Sequence, residues 1–379
     1  MKVLKQSFSV QFQYPVWFTR EFLDSGSAIL TEVLSSDQQP KVLLVIDQMV
    51  HQLHPYIESQ WHAFGSNHQP KCHIIKDPLI IPGGEACKND PAIIDALVAA
   101  IHKYEIDRHS FVLAIGGGAV LDAVGYAAAI AHRGVRMIRV PTTVLAQNDS
   151  GVGVKNGINA FHKKNFLGTF APPFAVINDS NFLHTLDNRD WRAGIAEAIK
   201  VALIKDAKFF DSIEKDIDLL NQRDHDSMES LIYQCARMHM EHIAAGDPFE
   251  QGSSRPLDFG HWSAHKLEQL TDYQIRHGEA VAIGMAIDCT YAHLKGYLSE
   301  TNLRRILSML TRLGFDLFDD TLMSDELVKG LQEFREHLGG KLTILLLDQI
   351  GSSFEVNEMD ETLIISSIAY LKQYQNKPT

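Results

Sequence analysis

Phe111-Val-Leu-Ala-Ile115 runs without a break into Gly116-Gly117-Gly118-Ala119-Val120-Leu121-Asp122. The first five residues have the length and apolarity of a buried strand, and the residues after the glycines take helical apolar spacing. Glycines at a strand-to-helix turn let backbone N–H groups approach a phosphate, and the helix N-terminus adds partial positive charge. The spacing is not G-x-G-x-x-G, so the usual dinucleotide fingerprint is absent. Taken alone, the turn also fits a role in packing strand against helix. Working outward, Val42–Ile46 closes on Asp47, Met137–Val140 closes on Pro141-Thr142-Thr143, and Ala175–Ile177 forms a further short run. Ile93–His102 and Val120–His132 carry helical spacing between these runs. Strands alternating with helices predict a parallel sheet covered on both faces, with ligands gathering at the carboxyl ends of the strands. An acid at Asp47 suits a pair of ribose hydroxyls, and Thr142 and Thr143 offer hydroxyls of their own. Each has an ordinary turn explanation; three strand ends with such groups point to a nucleotide crevice.

From about Asn181 strand-like runs nearly vanish. Trp191–Ile204, Met228–Ala244, His277–Lys295 and Asn302–Leu313 read as amphipathic helices, and Leu342–Leu347 as one isolated strand. The expected architecture is an α/β N-terminal domain with a parallel sheet over residues 1–180, followed by an all-α domain over 181–379.

Composition narrows the class. Of 379 residues, 45% are hydrophobic and 22% charged, the balance of an ordinary globular chain. A net charge of −12 without a Lys/Arg block disfavours nucleic acid or an anionic membrane as partner. No apolar run approaches the roughly 20 residues that span a bilayer, and Met1–Arg20 lacks a signal-peptide core. Cys72, Cys87, Cys235 and Cys289 are scattered without a C-x-x-C pair, which suits reduced thiols in a cytoplasmic protein.

Two further regions carry chemistry. Between Gln147 and Gly168 glycines alternate with Asp149, Lys155, Asn159, Lys164 and Asn165, which reads as a loop region able to bind an anion or as a solvated loop. Glu197 and Lys200 stand three apart among alanine and isoleucine, so Glu197 is expected to be partly buried and paired. His261 and His265 stand four apart, and Arg276-His277-Gly278-Glu279 opens the next helix. A carboxylate with two imidazoles makes an open Zn²⁺ site. Spacing alone favours His261 and His265 together, although 18 histidines make chance pairs common.

The ordered stretches GGGAVLD, RVPTTVLAQNDSGVGVKNGIN, KKNFLG, GIAEAIK, LDFGHWSAH and RHGEAVAIGM resemble the motif set of 3-dehydroquinate synthase and related sugar phosphate cyclases, from about Val42 to Gly351. More narrowly, PLDFGHWSAHKLE and FREHLGG are similar to the EboD-type members. The resemblance implies a Rossmann-like domain before the helical one, a bound NAD, a Zn²⁺ or Co²⁺ ion, and a homodimer. It implies Glu197, His261 and His277 as metal ligands, which leaves His265 to a substrate-binding or supporting part. It carries NAD contacts to Asp47, Glu85, Lys88, Gly117, Gly118, Asp122, Thr142, Thr143, Asp149 and Lys164. It carries substrate and phosphate contacts to Lys155, Asn165 and Lys200, with Arg133 reaching across the dimer to the phosphate. The implied activity is oxidation by NAD⁺, β-elimination of phosphate, re-reduction, and aldol closure to a carbocycle.

The sequence departs from 3-dehydroquinate synthase where that enzyme holds its substrate carboxylate. Met240 stands where the family has a lysine, Ser254 where it has an arginine (with Arg255 adjacent), Asp258 where it has an asparagine, and Arg335-Glu336 where it has a lysine pair. Drift with Arg255, Arg335 or Lys341 compensating is one reading. The sharper one is a seven-carbon sugar phosphate without a carboxylate, such as sedoheptulose 7-phosphate. An iron-type alcohol dehydrogenase would show Asp-x-x-x-His on the first C-terminal helix, but Glu197 is followed four residues on by Val201. A non-catalytic NAD- and metal-binding protein of the same fold is the alternative of another class.

Overall fold

A computed structural model describes residues 1–24, 27–35, 39–68, 71–161, 163–245, 247–249, 256–337 and 342–376. Ser254, Arg255 and Lys341 lie outside the described residues. The chain divides into two compact units, one of Met1–Thr142 with Val154–Asn181, the other of Thr143–Gly153 with Phe182–Thr379.

The first unit is built on strands β1 (Val16–Thr19), β2 (Lys41–Asp47), β3 (His73–Ile74), β4 (Leu79–Ile81), β5 (Phe111–Gly116) and β6 (Arg136–Pro141), a hairpin of β7 (Lys155–Ala160) and β8 (Lys163–Phe170), and β9 (Ala175–Asp179). A seven-stranded sheet runs β1-β9-β6-β5-β2-β3, with β4 also on β2. Every pairing in it is parallel. The central strand β5 is buried at every residue, as a strand covered on both faces must be. The glycine turn then feeds the helix Gly118–Ile130, which ends two residues before the expected His132. His132 and Arg133 there take φ of 51° and 63°, left-handed values that stop an α-helix.

The segment expected as a loop over 147–168 is more ordered. Ala146–Ser150 is a single wide turn of π-helix, and Lys155–Phe170 is an antiparallel hairpin with Gly157 opposite Gly168. The buried Arg139 of β6 ties down its base, donating to Asn156 Oδ1 at 2.6 Å and to the Lys155 carbonyl at 3.2 Å.

The second unit is mainly helical. Asn188–Lys205, His225–Ala244, His261–Leu270, His277–Leu294 and Glu300–Arg312 carry one continuous apolar core. The late run is not an isolated strand. β10 (Ile344–Gln349) pairs antiparallel with β11 (Ser352–Val356), which was missed because its burial is only partial and its residues are largely polar.

Candidate metal centre and cofactor cradle

In the first unit the strand ends bring their polar groups together around β2 and β5. Asp47 caps the helix Gln48–Leu53, accepting from Met49 N at 2.8 Å. Burial is the main influence on its carboxyl and pushes its pKa up, against the two backbone donors. A Cβ on Gly83 would lie 2.3 Å from Asp47 Oδ2, so the chain passes close over this acid. Gly117 caps the helix that Gly118 opens, and Thr142 N donates to the Gly116 carbonyl at 3.1 Å. Lys88 is buried and donates to Asp122 Oδ2 at 2.8 Å, and its ammonium also contacts Asn165 Oδ1. Burial alone would lower the Lys88 pKa, but Asp122 and Glu85 together raise it. Glu85 accepts from Asn159 Nδ2 at 2.8 Å, and Asn159 in turn accepts from the Asn165 backbone at 2.8 Å. Lys88 and Asp122, expected to serve NAD, and Asn165, expected to serve the substrate, thus form one network. Lys155 and Arg133 are exposed and Lys164 is half-buried.

Thr143 and Asp149 belong to the other unit. Thr143 Oγ1 accepts from Ala146 N at 3.1 Å, shaping the turn that carries Asp149. Asp149 Oδ1 stands 3.3 Å from His239 Nδ1, and its other oxygen 4.0 Å from Lys200 Nζ.

Glu197 and Lys200 lie on one face of the helix Asn188–Lys205, both buried, with the ammonium against Glu197 Oε2. His261 opens one helix and His277 the next. Gly260, at φ 76°, supplies the left-handed residue that turns the chain into the His261 helix. Its N–H donates to Asp288 Oδ2 at 3.1 Å, while Trp262 Nε1 donates to Asp288 Oδ1 at 2.8 Å. The His277 helix begins with a capping box in which Glu279 accepts from Arg276 N at 2.9 Å. A Cβ on Gly278 would meet the Ala193 carbonyl oxygen at 2.3 Å, so glycine there lets this helix lie directly on the one carrying Glu197.

The result is a convergence. Glu197 Oε1 is 3.7 Å from His261 Nε2 and 3.4 Å from His277 Nε2, and ligand atoms from the three residues lie within 4.8 Å of one another. Each imidazole is tied back through its other nitrogen. His261 Nδ1 donates to the Phe259 carbonyl at 3.0 Å, and His277 Nδ1 to Glu268 Oε2 at 3.2 Å. Burial, then Lys200, drives the His261 pKa well below the usual histidine value, so this ring is neutral and presents a lone pair. Burial alone would raise the Glu197 pKa, but Lys200 and His277 together hold it well below the usual carboxylate range. Neither Glu197 oxygen completes a hydrogen bond of good geometry despite full burial. A fully buried carboxylate facing the Nε2 atoms of two imidazoles fits a divalent cation of the Zn²⁺ type.

His265 stands beside this set, its ring centroid 5.3 Å from that of His261 and 6.0 Å from that of His277. It groups with Glu268 and His277 rather than with Glu197. Asp258 lies near enough to Lys200 to raise its pKa, after the larger influences of burial, Glu197 and Asp149. Sequence reasoning missed His239, Glu268 and Asp288. Glu268 follows His261 by seven residues on one helix face, and Asp288 is an acid inside an apolar run; both were signals.

A parallel-sheet unit and a helical unit holding a Glu-His-His cluster define the dehydroquinate synthase-like fold class. Residues 78–193 match the 3-dehydroquinate synthase N-terminal model and 194–335 the 3-dehydroquinate synthase C-terminal model. The 3-dehydroquinate synthase of Coxiella burnetii (strain Dugway 5J108-111) is 35% identical over 289 residues, 75% of this chain and 79% of the relative. That of Ruthia magnifica subsp. Calyptogena magnifica is 31% identical over 353 residues, 93% and 94% of the two chains. Among solved structures, ValA (2-epi-5-epi-valiolone synthase) from Streptomyces hygroscopicus subsp. jinggangensis 5008, with NAD⁺ and Zn²⁺ bound, superposes with a TM-score of 0.89 at 29% identity, covering 98% of this chain and 100% of its own. The chain belongs to the 3-dehydroquinate synthase family.

Proposed function

We propose that the protein is an NAD- and metal-dependent sugar phosphate cyclase, a phosphate-eliminating lyase, acting on a seven-carbon sugar phosphate that lacks a carboxylate. The observation that carries the catalytic reading is the convergence of His261 and His277 on the fully buried carboxylate of Glu197. When bound, the metal would acidify a substrate hydroxyl, and NAD⁺ would accept a hydride before phosphate is eliminated and give it back before aldol closure. The relative bound to NAD⁺ and Zn²⁺ supports both cofactors.

The chain's own groups divide the remaining work. Glu197, His261 and His277 hold the ion. Asp47, Glu85, Lys88, Gly117, Gly118, Asp122, Thr142, Thr143, Asp149 and Lys164 are assigned to NAD. Lys200 stabilises negative charge that develops beside the ion, and His265 passes a proton. Lys155 and Asn165 hold the substrate with its phosphate, joined by Arg133 of a second copy in a homodimer.

Substrate choice rests on Met240, Asp258 and Glu336. Met240 is half-buried and uncharged, and Asp258 sets a negative charge near Lys200. Two missing charge-assisted contacts of about 1.5–3 kcal/mol each weaken a carboxylate substrate by roughly two to four orders of magnitude. The ValA relative supports a cyclase other than 3-dehydroquinate synthase, as does the EboD-like PLDFGHWSAHKLE stretch. The second reading is 3-dehydroquinate synthase itself, favoured by the names of relatives 31–35% identical. Phosphate release with Zn²⁺ or Co²⁺ and NAD⁺ decides between them. Sedoheptulose 7-phosphate is expected to have much the higher kcat/KM, and an equal or higher value for the carboxylate-bearing precursor of 3-dehydroquinate overturns the proposal.

A further inference from the structure

Glu268 is 2% exposed, and a carboxylate buried to that degree must be compensated. Its Oε2 stands 3.2 Å from His277 Nδ1, while the opposite ring nitrogen of His277 faces Glu197 Oε1 at 3.4 Å. With a metal ion on the Glu197 side, Nε2 would turn its lone pair to the ion, so the one proton of the neutral ring would sit on Nδ1, where the Glu268 carboxylate can accept it. His261 is backed differently, by the uncharged carbonyl of Phe259. The two imidazoles are therefore unequal: one leans on a neutral oxygen, the other on a full negative charge that makes it the more basic donor.

We infer that Glu268 is a positioning residue for the metal: it fixes the His277 tautomer and strengthens that ligand without itself binding the ion. This inference rests on the metal reading of Glu197, His261 and His277. It goes beyond that reading by assigning the charge behind the ring.

The test uses the full metal-free chain titrated with Zn²⁺ against a competing chelator. Glu268→Gln keeps an oxygen acceptor of the same shape and removes the charge; Glu268→Ala removes both. Losses in affinity of about 10-fold for Gln and up to about 100-fold for Ala are expected, with one ion still bound per chain. Nitrogen-15 histidine spectra of the Zn²⁺-loaded protein provide a readout besides activity. The His277 Nδ1–H is expected far downfield and slow to exchange in the parent chain, and faster to exchange in Glu268→Ala. An unchanged Zn²⁺ affinity in Glu268→Gln, an Nε2-protonated His277 in the parent, or two ions per chain overturns the inference. If His277→Ala keeps the ion, the metal reading itself fails; if it loses the ion while Glu268→Gln binds like the parent, only the Glu268 inference fails.

Discussion

Lys200 follows Glu197 by three residues on one helix, and its ammonium rests on the Glu197 carboxylate with both side chains out of solvent. The pair is a buried cation standing where a second cation is proposed to bind. Removing one partner of a buried ion pair costs about 3–5 kcal/mol because the other charge is left uncompensated. Lys200→Met is therefore expected to lower the stability of the metal-free protein by that order, and to do so less once Zn²⁺ neutralises Glu197. Denaturant unfolding of the parent and of Lys200→Met, each with and without Zn²⁺, measures the difference. Equal losses in the two states argue against an ion on Glu197.

Alanine at Glu197, His261 or His277 is expected to remove one divalent ion per chain together with activity, since three protein ligands are the usual complement of an open zinc site. His265→Ala is expected to keep the ion and lose turnover. Metal analysis of the four purified variants checks this, and an ion lost from His265→Ala but kept in His277→Ala reverses the assignment.

In the proposed reaction the hydride taken up is handed back, so NAD⁺ is expected to be required only in catalytic amount. Absorbance at the NADH band should show no net accumulation while phosphate is released. One NADH per phosphate would instead mark a dehydrogenase.

Asp288 ties the His261 segment to the neighbouring helix, and burial pushes its pKa up to about 7, against the Trp262 and Gly260 donors. A carboxyl whose folded value lies above its unfolded one favours the folded state while protonated. Its cost is absent at pH 4, grows through the window from about 4 to 7, and is complete above it. Asp288→Asn removes this titration, so its melting temperature should fall less than the parent's between pH 4 and 7. A parent curve no steeper than the variant's there refutes the assignment of this slope to Asp288.

The regular elements were legible where hydrophobic period was strong. Val42–Ile46, Phe111–Ile115 and the helix around Trp191–Ile204 stand in the structure within a few residues of their expected ends. The hairpin Lys155–Phe170 was not legible, because β8 is mostly exposed and carries no clean alternation; what fastens its base is the buried Arg139, a long-range contact. At the candidate site, spacing favoured His261 with His265. The structure instead sets His261 and His277 around Glu197, because the His261 and Glu197 helices each close onto the His277 helix at a glycine, Gly260 in one case and Gly278 in the other. Helix-to-helix approach of that kind leaves no local signature. Asp149 illustrates the same limit, since its neighbours Lys200 and His239 are distant in sequence.

Residues 143–153 lie between β6 and β7 in sequence yet pack with the unit formed by 182–379. On the ribosome they emerge before any helix that receives them. Asn148, whose side chain later donates to the Gly194 carbonyl at 2.7 Å, has to wait for that helix to be made. A gene fragment starting at 182 would encode the three proposed ligands but neither Asn148 nor Asp149, so the helical unit has no single stretch of message that specifies it. Fusing or exchanging this half between relatives at one junction would leave the recipient with another protein's Asp149 turn against its own Lys200.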